Sequence, residues 1–141
     1  MQSSLSVLWI RSLTKGDLHL LIADVKRGDR DAIERAVEFV CAESFGIWHN
    51  RARAKLCRHF KNHPTTDVET SRMVEAIVSR LVGGQFSEQF KDQLCMAVRL
   101  APARMNEATH VASSSERAYV RRYADWIRNA LSRSQSPEID K

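Results

Sequence analysis

The chain has 141 residues, 43% of them apolar, and a formal net charge of +5 at pH 7. A chain of this length buries about 68–70% of its unfolded surface, so it needs no disulfide or metal to form a core, and we expect one domain over 1–133 with a flexible tail over 134–141. Its five glycines and three prolines fall below the roughly 12% that the two residues reach together in average proteins, which disfavours an architecture of short strands and turns and predicts an all-α fold.

Apolar residues at helical spacing predict six to seven helices, joined by loops of about two to six residues. The well-defined patterns cover 17–27, 29–44, 47–62, 67–82 and 87–100, followed by a last helix whose apolar residues run from Tyr119 to Ala130. Weaker patterns lie at 5–13 and 103–111. Short connections of this kind are typical of antiparallel neighbours, so successive helices should pack as hairpins.

Residues that start or stop helices mark the predicted boundaries. Gly28 follows the second pattern as a C-terminal glycine, and Asp29 is placed to cap the helix after it. Pro64 should end the helix over 47–62, because the residue before a proline is pushed out of the α region. Gly84 closes the next helix, and Ser87 is the predicted cap of the one that follows.

Residues 29–64 repeat loosely at 67–102 after a shift of 38 positions. The matches are Asp29 with Asp67, Gly46 with Gly84, Trp48 with Phe86, Arg53 with Lys91, Leu56-Cys57 with Leu94-Cys95 and Pro64 with Pro102. A helix pair repeated at this spacing resembles the HEAT and armadillo class of helical repeats, whose periods are about 40–47 residues. The resemblance implies a stack of helical hairpins with flanking helices as caps. The alternative is a compact helical bundle in which amphipathic helices of similar length align by chance.

The three cysteines favour a reducing compartment. Cys41, Cys57 and Cys95 are an odd number, form no CxxC pair and lie in apolar helical patterns, so a disulfide framework is not expected. The apolar run over 5–10 is too short for a signal peptide or a membrane span. We therefore expect a cytoplasmic protein that does not enter a membrane.

The helix predicted over 47–62 carries the strongest charge pattern in the chain. Its cations Arg51, Lys55, Arg58 and Lys61 fall on one arc of about 120°, with Trp48, Leu56, His59 and His63 among the residues predicted to face inward on the opposite arc. Four cations in three turns repel one another, so an acid or a phosphate should lie nearby. One explanation is pairing with the acidic helix over 29–44. The other is a surface for phosphates or an acidic partner, extended by arginines of the last helix, including Arg121 and Arg122.

No motif for catalysis, a metal or a cofactor is recognisable. His59 and His63 stand four residues apart on a helix, a spacing that can hold a metal, but no HExxH pattern is present and Cys57 projects about 160° away from His59. No phosphate-binding loop and no nucleophile elbow occurs. We predict a non-catalytic helical module without cofactor that binds another protein or its own copy. The alternative is a nucleic-acid-binding protein whose basic helix face contacts phosphates.

Overall fold

The computed structural model describes residues 4–86 and 89–135, and all regular structure in these ranges is helical. The eight helices are α1 (Ser4–Arg11), α2 (Lys15–Lys26), α3 (Arg30–Cys41), α4 (Ile47–Asn62), α5 (Asp67–Gly83), α6 (Phe90–Leu100), α7 (Pro102–Ala112) and α8 (Ala118–Gln135). The predicted all-α class is confirmed. The helices exceed the predicted six to seven because both weaker patterns form helices, α1 and α7. No helix in the described ranges has the length and apolar character needed to cross a membrane.

The observed helix boundaries follow the predicted stop signals in most places. α4 covers the predicted range, whereas α3 ends at Cys41 because Ala42 adopts an extended conformation with φ −81° and ψ 152°. α8 continues to Gln135, so the first residues of the predicted tail belong to a helix. The predicted cap Ser87 and the tail residues 136–141 lie outside the described residues.

Gly28 and Asp29 form the corner between α2 and α3. Gly28 has φ 84°, and its N–H donates to the Val25 carbonyl at 2.9 Å while the Asp29 N–H donates to the Asp24 carbonyl at 3.1 Å. These two bonds satisfy carbonyls that the end of α2 leaves open. The Asp29 side chain then accepts from the Ala32 N–H at 3.0 Å and caps α3.

The helices pack as two rows of neighbours. α3, α5 and α7 contact one another in succession, and so do α4, α6 and α8, while α3–α4, α5–α6 and α7–α8 form the hairpins between the rows. α2 packs against both α3 and α4 and covers one end. The core between the rows includes the fully buried side chains Phe39, Leu56, Phe60, Met73, Ile77, Leu94 and Met96.

The shift of 38 residues relates some positions and not others. Leu56 and Leu94, which the shift matches, are both fully buried. Gly46 and Gly84 do not occupy equivalent turns, since Gly46 has φ 120° and precedes α4, whereas Gly84 has φ 70° and ends α5. The physical reason is that α3 stops at Cys41 and leaves an extended connection before Gly46, while α5 continues to its glycine.

Candidate functional site

The predicted basic face of α4 lies mostly at the surface. Arg51, Lys55 and Arg58 are exposed, and Lys61 is half-buried. Arg58 Nη1 donates to Asp92 Oδ2 of α6 at 2.9 Å. Lys55 and Lys61 form no ion pair with the described residues, so much of the repulsion on this face is not relieved by carboxylates of the fold.

The acidic side of α3 is directed towards α5 rather than towards the basic face of α4. Glu38 of α3 pairs with Arg72 of α5 at 3.3 Å. Arg30 at the start of α3 pairs with Glu69 of α5. Glu43, just after α3, pairs with Arg80 of α5 at 3.0 Å. Glu38 and Glu43 of the segment 29–44 therefore neutralise arginines of α5.

A groove between α2 and α4 collects cations from both helices. Its main part has a volume of about 660 Å³ and is lined by His19, Ile22, Ala23, Lys26, Lys55, Arg58, His59, Asn62 and His63. A smaller hollow of about 60 Å³ shares His19, Ile22 and Lys55 with it and adds Lys15, Trp48 and Arg51, among others. We call the two together the α2/α4 groove. No aspartate or glutamate of the described residues lines it.

The ring of Trp48 contacts two cations at one end of the α2/α4 groove. Lys15 Nζ lies 4.2 Å from the centroid of its ring, and Arg51 Cζ lies 5.2 Å away. A cation over an indole face is attracted by the ring quadrupole. Trp48 is 39% exposed, which corrects the prediction that it faces the core, because its ring covers two surface cations instead.

The other end of the groove carries a histidine pair. The rings of His59 and His63 stack with centroids 4.6 Å apart. Burial lowers the pKa of His59, and the charges of His63 and Lys26 lower it further. His63 is exposed and His59 half-buried, so His63 does not face inward as predicted. No group of three histidine, cysteine or acidic side chains in the described ranges is arranged to hold a metal ion.

The two predicted arginines of α8 stand apart from this groove. Arg121 and Arg122 are both exposed, and Arg121 Nη1 donates to the Ser115 carbonyl at 2.6 Å. α8 packs on α5, α6 and α7, whereas α4 packs on α2, α3 and α6. The structure therefore joins Arg51, Lys55 and Arg58 to cations of α2 instead of α8.

Sequence reasoning missed a second cluster of charge, formed by two buried arginines. Arg53 of α4 is 4% exposed and Arg80 of α5 is 6% exposed. Both guanidinium groups bind carbonyl oxygens at and beyond the end of α3. A signal was present for Arg80, which stands three residues after Ile77 and next to Leu81 in the buried stripe of α5.

Comparisons with protein families, curated proteins and solved structures find no match to this chain.

Proposed function

We propose that the chain binds nucleic acid through phosphate contacts in the α2/α4 groove. The observation that supports this most directly is a groove lined by Lys26, Lys55, Arg58 and three histidines with no carboxylate of the described residues in its wall. Arg58 is paired with Asp92, but Lys26 and Lys55 form no ion pair with the described residues. Cations grouped in this way attract a polyanion, and phosphate oxygens accept the hydrogen bonds that ammonium and guanidinium groups donate.

The contacts that this groove offers are to the nucleic-acid backbone. Lys55 and Arg58 lie about one turn apart on α4, while Lys26 approaches from α2. Phosphate contacts fix position and carry little sequence information. Binding should therefore vary little with base sequence and depend strongly on salt, since each neutralised phosphate releases counterions.

Fluorescence anisotropy with labelled single- and double-stranded DNA and RNA at two salt concentrations tests the proposal. For three phosphates contacted on duplex DNA, the affinity should fall roughly 40-fold between about 50 and 200 mM salt. Absence of binding to every one of these probes at low salt would rule the function out.

Charge reversal locates the binding surface. Lys55→Glu should weaken binding at least about tenfold, because it places a carboxylate at the centre of the groove. Arg122→Glu makes the same change of net charge on an exposed position of α8, and we expect it to leave the affinity within about twofold. Equal losses in the two variants would show that net charge, and not the groove, attracts the nucleic acid.

We also propose, as a second candidate, that the chain is a protein-interaction module, and a different surface favours it. Phe45 is 72% exposed and Ile47 57% exposed, next to Trp48 at the corner between α3 and α4. Adjacent exposed apolar side chains of this kind mark interaction surfaces more often than isolated ones do. The two rows of helices, with α2 over one end, also agree with a short stack of helical hairpins.

Solution mass distinguishes this second candidate. Self-association through the corner predicts a mass above the 16.1 kDa of one chain, and Phe45→Ser should restore the monomer. A strict monomer in sedimentation, with no partner recovered by co-purification, would count against an interaction module.

The proposed compartment is a reducing cytoplasm. All three cysteines are free thiols, which supports this proposal.

A further inference from the structure

Two buried guanidinium groups converge at the C-terminal end of α3. Arg53 Nη2 and Arg80 Nη2 both donate to the Ala42 carbonyl, at 3.2 and 3.0 Å. Arg53 also donates to the Ser44 carbonyl at 3.1 Å and to its hydroxyl oxygen at 2.6 Å. Arg80 Nη1 donates to Gln93 Oε1 at 2.8 Å. The two cations are thus held close together by one short segment of backbone.

The positive charge at this point exceeds the charge that the described residues supply against it. Glu43 is the one carboxylate among them in contact with either guanidinium group, at 3.0 Å from Arg80 Nε, and its side chain is 57% exposed. The negative end of the α3 dipole compensates part of the remaining charge. Burial, followed by the charge of the neighbouring Arg80, lowers the pKa of Arg53 to about 10.

A cavity of about 170 Å³ opens beside the two arginines. The side chains that line it include Glu43, Asn50, Arg53, Arg80, Gln85 and Gln93. Arg53 Nε is buried and has no hydrogen-bond partner among the described residues. A buried donor without a partner carries a desolvation penalty, and a negative charge in the neighbouring cavity would offset part of that penalty.

We propose that this cavity binds a tetrahedral oxyanion, either free inorganic phosphate or the phosphoryl group of a small monoester, through Arg53 and Arg80. The cavity is smaller than the roughly 300 Å³ at which pockets for larger ligands begin, so a whole nucleotide does not fit. Guanidinium groups match the oxygen spacing of phosphate. The oxyanion would lie beside the two guanidinium groups and accept hydrogen bonds from the cavity amides of Asn50 and Gln85.

This site is separate from the α2/α4 groove. Arg53 and Lys55 are two residues apart on α4, so they project to opposite sides of the helix. The oxyanion site does not depend on nucleic-acid binding, and a variant that affects one site should leave the other in place. The arginines also cap the end of α3, so they contribute to the stability of the fold as well as to the proposed site.

Titration calorimetry at constant ionic strength, with inorganic phosphate and with O-phosphoserine, measures binding to the full chain. We expect a saturable heat with at least one of the two ligands, and which of them binds identifies the source of the oxyanion. Lys55→Glu should bind with unchanged affinity. In ¹⁵N-labelled protein, the Arg53 Nε–H resonance, assigned from its loss in Arg53→Lys, should shift as the ligand is added.

Two substitutions of nearly unchanged size should move the affinity in opposite directions. Asn50→Asp places a carboxylate in the cavity and should weaken oxyanion binding at least about tenfold, because like charges in one site repel. Glu43→Gln removes the competing carboxylate and should tighten binding about fivefold. Arg122→Gln lowers the net charge as Asn50→Asp does, at an exposed position of α8, and should have no effect.

The thermal midpoint without ligand provides a check on folding. Asn50→Asp should not lower it, since the new carboxylate compensates buried positive charge. No heat with either ligand at millimolar concentration would overturn the proposal, as would an affinity that Asn50→Asp leaves unchanged. An affinity lost in Lys55→Glu would assign the bound phosphate to the α2/α4 groove and would also overturn it.

Discussion

Gly84, at the end of α5, lies against side chains at the start of α8. Its φ of 70° lies in the left-handed region, and a Cβ atom placed on it would come within 2.9 Å of Arg117 Cδ and of Tyr119 Oη. Tyr119 Oη donates to the Gly84 carbonyl at 2.8 Å. The glycine is therefore required both by its backbone conformation and by the side chains packed over it.

Gly84→Ala should lower the free energy of unfolding by about 2–3 kcal/mol, through left-handed strain and displacement of Tyr119. Gly28→Ala is the matched control, because Gly28 has φ 84° and a Cβ atom placed on it would meet no other atom within 4 Å. That change should cost only about 1 kcal/mol. Urea unfolding of both variants gives the comparison, and equal costs would show that α8 accommodates the methyl group without strain.

The start of α5 is joined to α3 through Glu69. Burial acts to raise the pKa of this carboxyl, but hydrogen bonds from Arg30, Thr65 and Thr66 outweigh it and lower the pKa to about 2. Because the folded pKa is depressed, the stabilisation is fully present above the unfolded value of 4.5. It is lost as the pH falls from there towards 2.

Glu69→Gln should cost about 1–2 kcal/mol of unfolding free energy at pH 7, after allowance for the exposed Arg30. The difference from the unmodified chain should shrink as the pH is lowered from 5 towards about 2.5, since the unmodified carboxylate loses its advantage there. Glu107→Gln removes a charge from a 71% exposed side chain and should cost under about 0.5 kcal/mol. A gap between Glu69→Gln and the unmodified chain that is independent of pH would mean that packing, and not charge, holds the two helices together.

Helix limits were predictable where the signal is local. The range of α4 follows from Gly46 before it and Pro64 after it, and both act on their immediate neighbours. The partners of Arg80 were not predictable in the same way, because the carbonyl oxygens that accept its hydrogen bonds belong to α3 and the residue after it, about 40 residues earlier. The α2/α4 groove was predictable only in part. The sequence of α4 alone shows that Lys55 and Arg58 share one face, but it does not show that cations of α2 lie next to that face.

On the scale of the whole molecule, the two rows share a single core. The most extensive helix contact joins α4 and α6, which are separated along the chain by all of α5. Leu56 and Leu94 are fully buried on these two helices. The stability of each row therefore depends on residues that are distant in sequence, and the three hairpins should unfold together.

Leu56→Ala and Leu94→Ala should each lower the free energy of unfolding by about 2–5 kcal/mol, since each empties a fully buried position between α4 and α6. Arg58→Ala, on the exposed side of α4, removes only the surface pair with Asp92 and should cost under about 0.5 kcal/mol. Urea unfolding followed by tryptophan fluorescence and by circular dichroism measures all three variants. One shared transition with an unchanged denaturant slope is expected for each, because a single core unfolds as a unit. Two separate transitions, or a small cost for either leucine, would mean that the hairpins are held by independent contacts and not by one core.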